Sequence, residues 1–300
     1  MDVFNFPNTQ NNQFVYFANG GTTSWQTWVK PRNVKFVSIF AISGGGGGGG
    51  GRTSSTVINA AGGGGGAASG TALGIFPVNS LPDTIYIQVG LGGVGGIGQT
   101  NGSNGSITYV SVQPNTTAIN VIIGGSAATP SAGIGGQAGG TAGVAPSAFS
   151  KTATGFLGAC GTITSTIGWV GGTGGTALSG NSILVSGVTT GGAGGGGNTS
   201  TSRDNVGGNI TGIGVIPTIL GGSTGLTGDN GYISMTPSIN SSIGFPMFFT
   251  GGAGGGSKFN GVGGNGGNGG YGCGGGGAGS GLTGGTGGKG GDGLVIITCW

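Results

Sequence analysis

Residues 261–277 read GVGGNGGNGGYGCGGGG. Glycine fills two of every three positions, and Asn265, Asn268 and Tyr271 recur at the third. A period of three is that of the polyproline II conformation, a left-handed helix that rises about 3.1 Å per residue and makes no internal hydrogen bond. A lone helix of this kind would be a solvated linker, because glycine loses more conformational entropy on ordering than any other residue. Several packed side by side can pair N–H and C=O groups between neighbours, which is what buried backbone requires.

The spacing recurs. GLGGVGGIG places Leu91, Val94 and Ile97 in one stripe, VGGTGGT places Val170, Thr173 and Thr176, and TGGTGGKGGDG places Thr283, Thr286, Lys289 and Asp292. The pattern predicts a bundle of polyglycine II helices. Residues 261–277 are expected to form one ordered helix with the Asn265–Asn268–Tyr271 stripe outward, although Cys273 falls out of phase. The apolar stripe Leu91–Val94–Ile97 is expected to point inward and the Thr283–Asp292 stripe toward water. Collagen shares the period but needs proline throughout, and the chain has 10 Pro.

Between glycine blocks lie short β-branched and aromatic runs with the length and composition of strands: 14–18, 25–29, 34–42, 84–89, 106–112, 119–123, 182–188, 232–236 and 294–300. VKFVSIFAI (34–42) is apolar on both faces, so it is expected to lie between two layers. No window has a helical period, and glycine opposes helix formation. The fold class expected is all-β, a β-sandwich-like scaffold of short strands carrying packed polyglycine II helices, with an arm at 1–13 and one domain at 14–300.

The chain has 300 residues, 85 of them Gly, with 34% hydrophobic and 4% charged residues. Disordered chains are charge-rich and poor in β-branched residues, unlike this one. A net charge of +3 gives little attraction for nucleic acid or for a membrane surface. No secretory signal and no apolar run long enough for a membrane span is seen. Cys160, Cys273 and Cys299 lack metal-ligand spacing and are expected to be free thiols. With no His, no Glu and five Asp, there is no base for a nucleophile and no paired carboxylates, so a non-enzyme without cofactor or metal is expected. GGKGGDGLV (287–295) matches a calcium β-roll repeat once, whereas such sites need tandem copies. Asp292 is therefore read as the end of a polar stripe.

The order strand, polyglycine, strand, triplets, closing strand runs through FVYFANGGTTSWQTWVKPRNVKFVSIFAISGGGGGGGG (14–51), LPDTIYIQVGLGGVGGIG (81–98) and GGKGGDGLVIITCW (287–300). It resembles the glycine-rich domains of bacteriophage tail fibres and related virion proteins. The resemblance implies a polyglycine II scaffold displayed on a virion, synthesised in the host cytoplasm, whose loops between glycine tracts contact a host glycan or protein. It also implies partners among other virion proteins and copies of itself. Those adhesins carry a separate attachment domain where this sequence has the arm 1–13, so a capsid-decorating or minor capsid protein stands as the alternative. A non-viral structural or ice-binding bundle is the second alternative.

Candidate recognition residues are aromatic or charged side chains between glycine tracts: Trp169, Arg203 and Asp204, and the cluster Phe245, Phe248 and Phe249. Aromatics of this kind anchor interfaces, or else fill the core. Phe4 and Phe6 of the arm are candidates for docking on a neighbouring virion protein.

Overall fold

The structure, a computed structural model, describes residues 13–19, 24–54, 59–117, 121–124, 131–135, 143, 162–176, 178–185, 187–199, 204–212, 216–234 and 247–300. In chain order the strands are β1 (Gln13–Phe17), β2 (Gln26–Val29), β3 (Phe36–Ile42), β4 (Thr71–Pro77), β5 (Thr84–Gln88), β6 (Tyr109–Ser111), β7 (Val121–Gly124) and β8 (Thr162–Thr166). They continue as β9 (Ile183–Leu184), β10 (Ile210–Thr211), β11 (Ile233–Ser234), β12 (Phe248–Phe249), β13 (Lys258–Val262), β14 (Gly281–Thr283) and β15 (Leu294–Cys299). No α-helix occurs among the described residues, and the fold is all-β as the sequence predicts.

Two sheets form a sandwich: a five-stranded antiparallel sheet ordered β1-β15-β3-β4-β8 and a four-stranded one ordered β2-β5-β6-β7. Side chains alternate across a strand, and here the alternation divides two apolar sets. Val37, Ile39 and Ala41 of β3, with Val295, Ile297 and Cys299 of β15, meet Trp28, Ile85, Ile87, Val110 and Ile123 of the smaller sheet. The opposite phase of the same strands, Ile42, Leu294 and Ile296, packs against Phe249 and Cys273. This explains why 34–42 is apolar on both faces, as expected from its sequence.

The sequence reading missed β4 and β8 of the larger sheet and the short strands β10, β12, β13 and β14. TALGIFP (71–77) carries a glycine and ends in proline, both of which count against a strand. In the sheet, however, Gly74 lies opposite Ile39, and a side chain there would collide with Ile123 and Phe76. The glycine makes room for two large core residues, so the feature that hides the strand is what its packing demands.

β3 runs directly into Gly44–Gly51. Along this tract every third amide donates to the same neighbour: Gly44, Gly47 and Gly50 to Ser106, Ser103 and Thr100 at 3.0 Å each, and Gly45, Gly48 and Gly51 to Gly291, Gly288 and Gly285 at 2.8, 2.9 and 3.1 Å. Gly46, Gly49 and Arg52 donate to Ala67, Gly64 and Ala61 at 2.9, 2.8 and 3.0 Å. Its carbonyls accept from three further segments, through Gly93 and Gly96, through Gly133, and through Gly275 and Ala278. Three donors per turn pointing in three directions are the mark of a three-residue helix, here surrounded by six hydrogen-bonded neighbours.

Tract 273–280 is surrounded in the same way. It donates to segments around Ala193, Gly49 and Gly267 and accepts from those around Gly288, Gly255 and Gly66. At such close approach there is no room for a β-carbon: one built on Gly48 would fall on the carbonyl oxygen of Gly276. Interior tracts are therefore almost pure glycine, with alanine tolerated beside side-chain clusters, as at Ala193 and Ala253 next to Val185, Ile210 and Ile219.

Tracts with a Gly-Gly-X repeat lie at the surface with X outward. Asn265 and Asn268 are exposed, as are Thr283 and Lys289, in agreement with the sequence reading. Three expectations require correction. Tyr271, expected outward with Asn265 and Asn268, is half-buried and packs against Phe17 and Phe249. The stripe Leu91–Val94–Ile97 does not point inward: Val94 is 66% and Ile97 71% exposed. A side chain as large as valine or isoleucine, apolar or not, finds no room where the backbones touch, so apolarity cannot draw it in. Residues 261–277 also do not form a single helix. They are two antiparallel segments, paired through Gly276 to Gly267 at 2.9 Å and Gly279 to Gly264 at 2.9 Å, and the chain reverses at Tyr271–Gly272, where Gly272 has φ 68°. That left-handed backbone is favourable for glycine and costly for most other residues.

Candidate functional site

The bundle has two unlike ends. One is fused to the sandwich, at whose remote edge Thr298 of β15 pairs with Gln13 of β1 and Trp300 stacks on Phe36 at 6.1 Å. The other lies about 25 Å farther on, the rise of the eight residues Gly44–Gly51 at about 3.1 Å each. There the chain turns between helices in several short loops, and these form the candidate site.

The loops are tied to each other by backbone bonds rather than by a side-chain core. Thr53 bridges to Gly281 at the start of β14, Ser54 donates to the Gly281 carbonyl at 3.0 Å, and β13 lies parallel to β14. The Thr53 hydroxyl accepts from Gly284 at 3.0 Å, and Arg52 reaches the Asn59 carbonyl at 3.1 Å. Asp204 accepts from the Phe259 amide at 3.0 Å, which ties Asp204 to β13. This rigid frame leaves Gln99, Asp204, Lys258, Leu282 and Leu226 exposed. Such a face combines apolar and polar side chains on ordered backbone.

A family model described as a glycine-rich domain matches residues 19–300. The chain belongs to that family. No curated protein matches it. In this glycine-rich domain the matched span takes in both the sandwich and the bundle and begins just beyond β1.

Of the residues singled out from sequence, Asp204 is at the far end of the glycine-rich domain and Arg203 lies outside the described residues, as do Phe245, Phe4 and Phe6. Trp169 is at the sandwich end of its tract, 37% exposed, and its carbonyl accepts from Ala68 at 2.9 Å. Phe248 stacks on Tyr232 at 5.9 Å and Phe249 meets Tyr271 edge-on at 5.7 Å. Both phenylalanines are buried, so their place is the core, the second of the two roles open to them. Among the described residues, Trp169, Asp204 and the pair Phe248–Phe249 therefore do not form one site. The sequence reading missed Gln99, Lys258 and Leu282; the available signal was that each stands at a break between two glycine tracts.

Burial pushes the Cys273 thiol up to about 12 and the Cys299 thiol to about 11. The thiolate is the reactive form, so neither sulfur is a nucleophile near neutral pH. Asp292 is engaged on two sides, accepting from the Gly92 amide at 2.8 Å and from Lys289 Nζ at 2.9 Å. That is the behaviour of a stripe residue closing a surface amide. Among the described residues no helix is long and apolar enough to cross a membrane.

Proposed function

We propose that this glycine-rich domain is a virion display protein whose far-end loops attach to a host surface, a glycan or a protein. The observation that carries the reading is the separation of its ends. A sandwich with its own core lies at one end, and a ring of mutually bonded loops lies about 25 Å away on a column of glycine helices. Binding residues are commonly placed on loops held by a rigid scaffold, and repeated copies on a particle would strengthen weak contacts through avidity. The role is mechanical and adhesive, with no chemical step.

A second reading, capsid decoration, is favoured by one specific feature. The exposed Val94 and Ile97 form an apolar strip along the flank, and flank-to-flank contacts are what a shell protein needs. Antibodies against the domain, applied to purified particles of the virus that encodes it, separate the two. Label at fibre tips supports attachment, label over the shell supports decoration, and unlabelled particles contradict both. For attachment, Lys258→Glu with Leu282→Asp is expected to reduce adsorption of particles to host cells while leaving the melting temperature unchanged. Unchanged adsorption would remove the loops from the function.

A further inference from the structure

The outer face of the five-stranded sheet is covered only in part. Its outward residues form three rows across β1, β15, β3 and β4, set by the pairing register: Phe17–Leu294–Ile42–Thr71, then Val15–Ile296–Phe40–Leu73, then Gln13–Thr298–Ser38–Ile75. In the first row Leu294 and Ile42 are covered by Phe249 and Tyr271, while Phe17 packs on Tyr271 and stays 43% exposed. Beyond this row a groove of about 320 Å³ opens, lined by Gln13, Ser38, Phe40, Leu73, Val188 and Met247 among others, none of them charged. Val15, Leu73 and Ile75 are 38, 37 and 41% exposed. This is a contiguous apolar strip on a sheet face, and such strips mark surfaces that something covers.

We infer that this groove is a docking site for the chain's own N-terminal segment, residues 1–12, with Phe4 and Phe6 as its anchors. The segment leaves from Gln13, which itself lines the groove. It carries Met1, Val3, Phe4 and Phe6 with a single charged side chain, Asp2, in keeping with an uncharged apolar lining. A proline disfavours the helical conformation for the residue before it, and in an extended chain residues two apart, as Phe4 and Phe6 are in the sequence, share one face about 7 Å apart. That matches the spacing of two rows on the sheet. The farthest lining strand, β4, is three strand spacings from β1, about 14 Å, whereas the seven residues from Phe6 to Gln13 span up to about 23 Å. Attachment in the same chain also holds the anchors at a high effective concentration. This gives Phe4 and Phe6 an intramolecular role in place of docking on a neighbouring virion protein, and it holds whether or not the domain is a virion component.

The test compares the full chain with the Phe4→Ser/Phe6→Ser variant by binding of an apolar fluorescent dye and by sedimentation. Uncovering the groove should raise dye fluorescence several-fold in a species that remains folded and the same size. Adding Leu73→Asp should remove the increase, locating the dye in the groove. Unchanged fluorescence in the double variant would overturn the inference. So would an increase that accompanies dissociation of a dimer, since the groove would then be filled by a second copy. So would an increase that Leu73→Asp leaves intact.

Discussion

The amide of Gly48 donates to the carbonyl of Gly288 at 2.9 Å, joining a tract near the start of the chain to the tract that leads into its last strand. Nothing but backbone stands between them. A β-carbon on Gly48 would strike the Gly276 carbonyl of a third helix. Gly48→Ala is therefore expected to force helices apart and cost about 1–3 kcal/mol or more, as overpacking does. Val94→Ala, at an exposed stripe position, should stay within about 0.5 kcal/mol. Urea unfolding of both variants checks the contrast.

Surface helices turn some amides toward solvent, and polar stripe residues close them. Asn268 Oδ1 accepts from the Lys289 amide at 2.8 Å, as Asn265 does from Thr286 at 2.8 Å. Asn268→Ala should cost about 0.5–1.5 kcal/mol, the net worth of one hydrogen bond. Hydrogen exchange at Lys289 should be faster in the variant, with the amide of Gly288 unaffected.

Phe249 is fully buried and edge-on to Tyr271, at the junction of sandwich and bundle. Phe249→Ala is expected to cost about 3–5 kcal/mol, the usual loss for a buried phenylalanine. A change near zero in thermal unfolding would mean that the two parts do not share this core.

Stability should fall in alkali. Burial raises Cys273 from 9.0 to about 12, Cys299 from 9.0 to about 11 and Tyr16 from 10.0 to about 12, the last with a smaller contribution from Cys299. Above pH 9 the unfolded chain releases these protons while the folded chain retains them. The folded state then binds more protons, and its stability decreases with pH through this window. Below pH 9 this contribution is fully present. Chemical denaturation from pH 8 to 12 should show the decline, with a shallower slope for Cys273→Ser.

Much of this architecture is legible as texture. A tract such as GGGGGGGG at 44–51 has no side-chain stripe because all of its faces meet other helices, and GGX tracts such as 263–270 carry one stripe because one face is free. The stripe direction for Leu91–Val94–Ile97 was misread because hydrophobicity was given more weight than the absence of space. The reversal at Gly272 was hidden because one more glycine among many marks no turn. β4 was obscured by Gly74, whose purpose is visible only once Phe76 and Ile123 are in place. The far-end loops were the least legible: Asp204 stood out as a charge, but Lys258 and Leu282 become neighbours only through the pairing of β13 with β14, which no local pattern announces.

The account depends most on the glycine tracts being ordered by hydrogen bonds to one another. Amide hydrogen exchange of Gly44–Gly51, read by NMR in the intact chain, addresses that directly. Protection comparable to that of Val295–Ile297 in β15 is the predicted result. Exchange at the rate of an unstructured peptide across these eight glycines would contradict it.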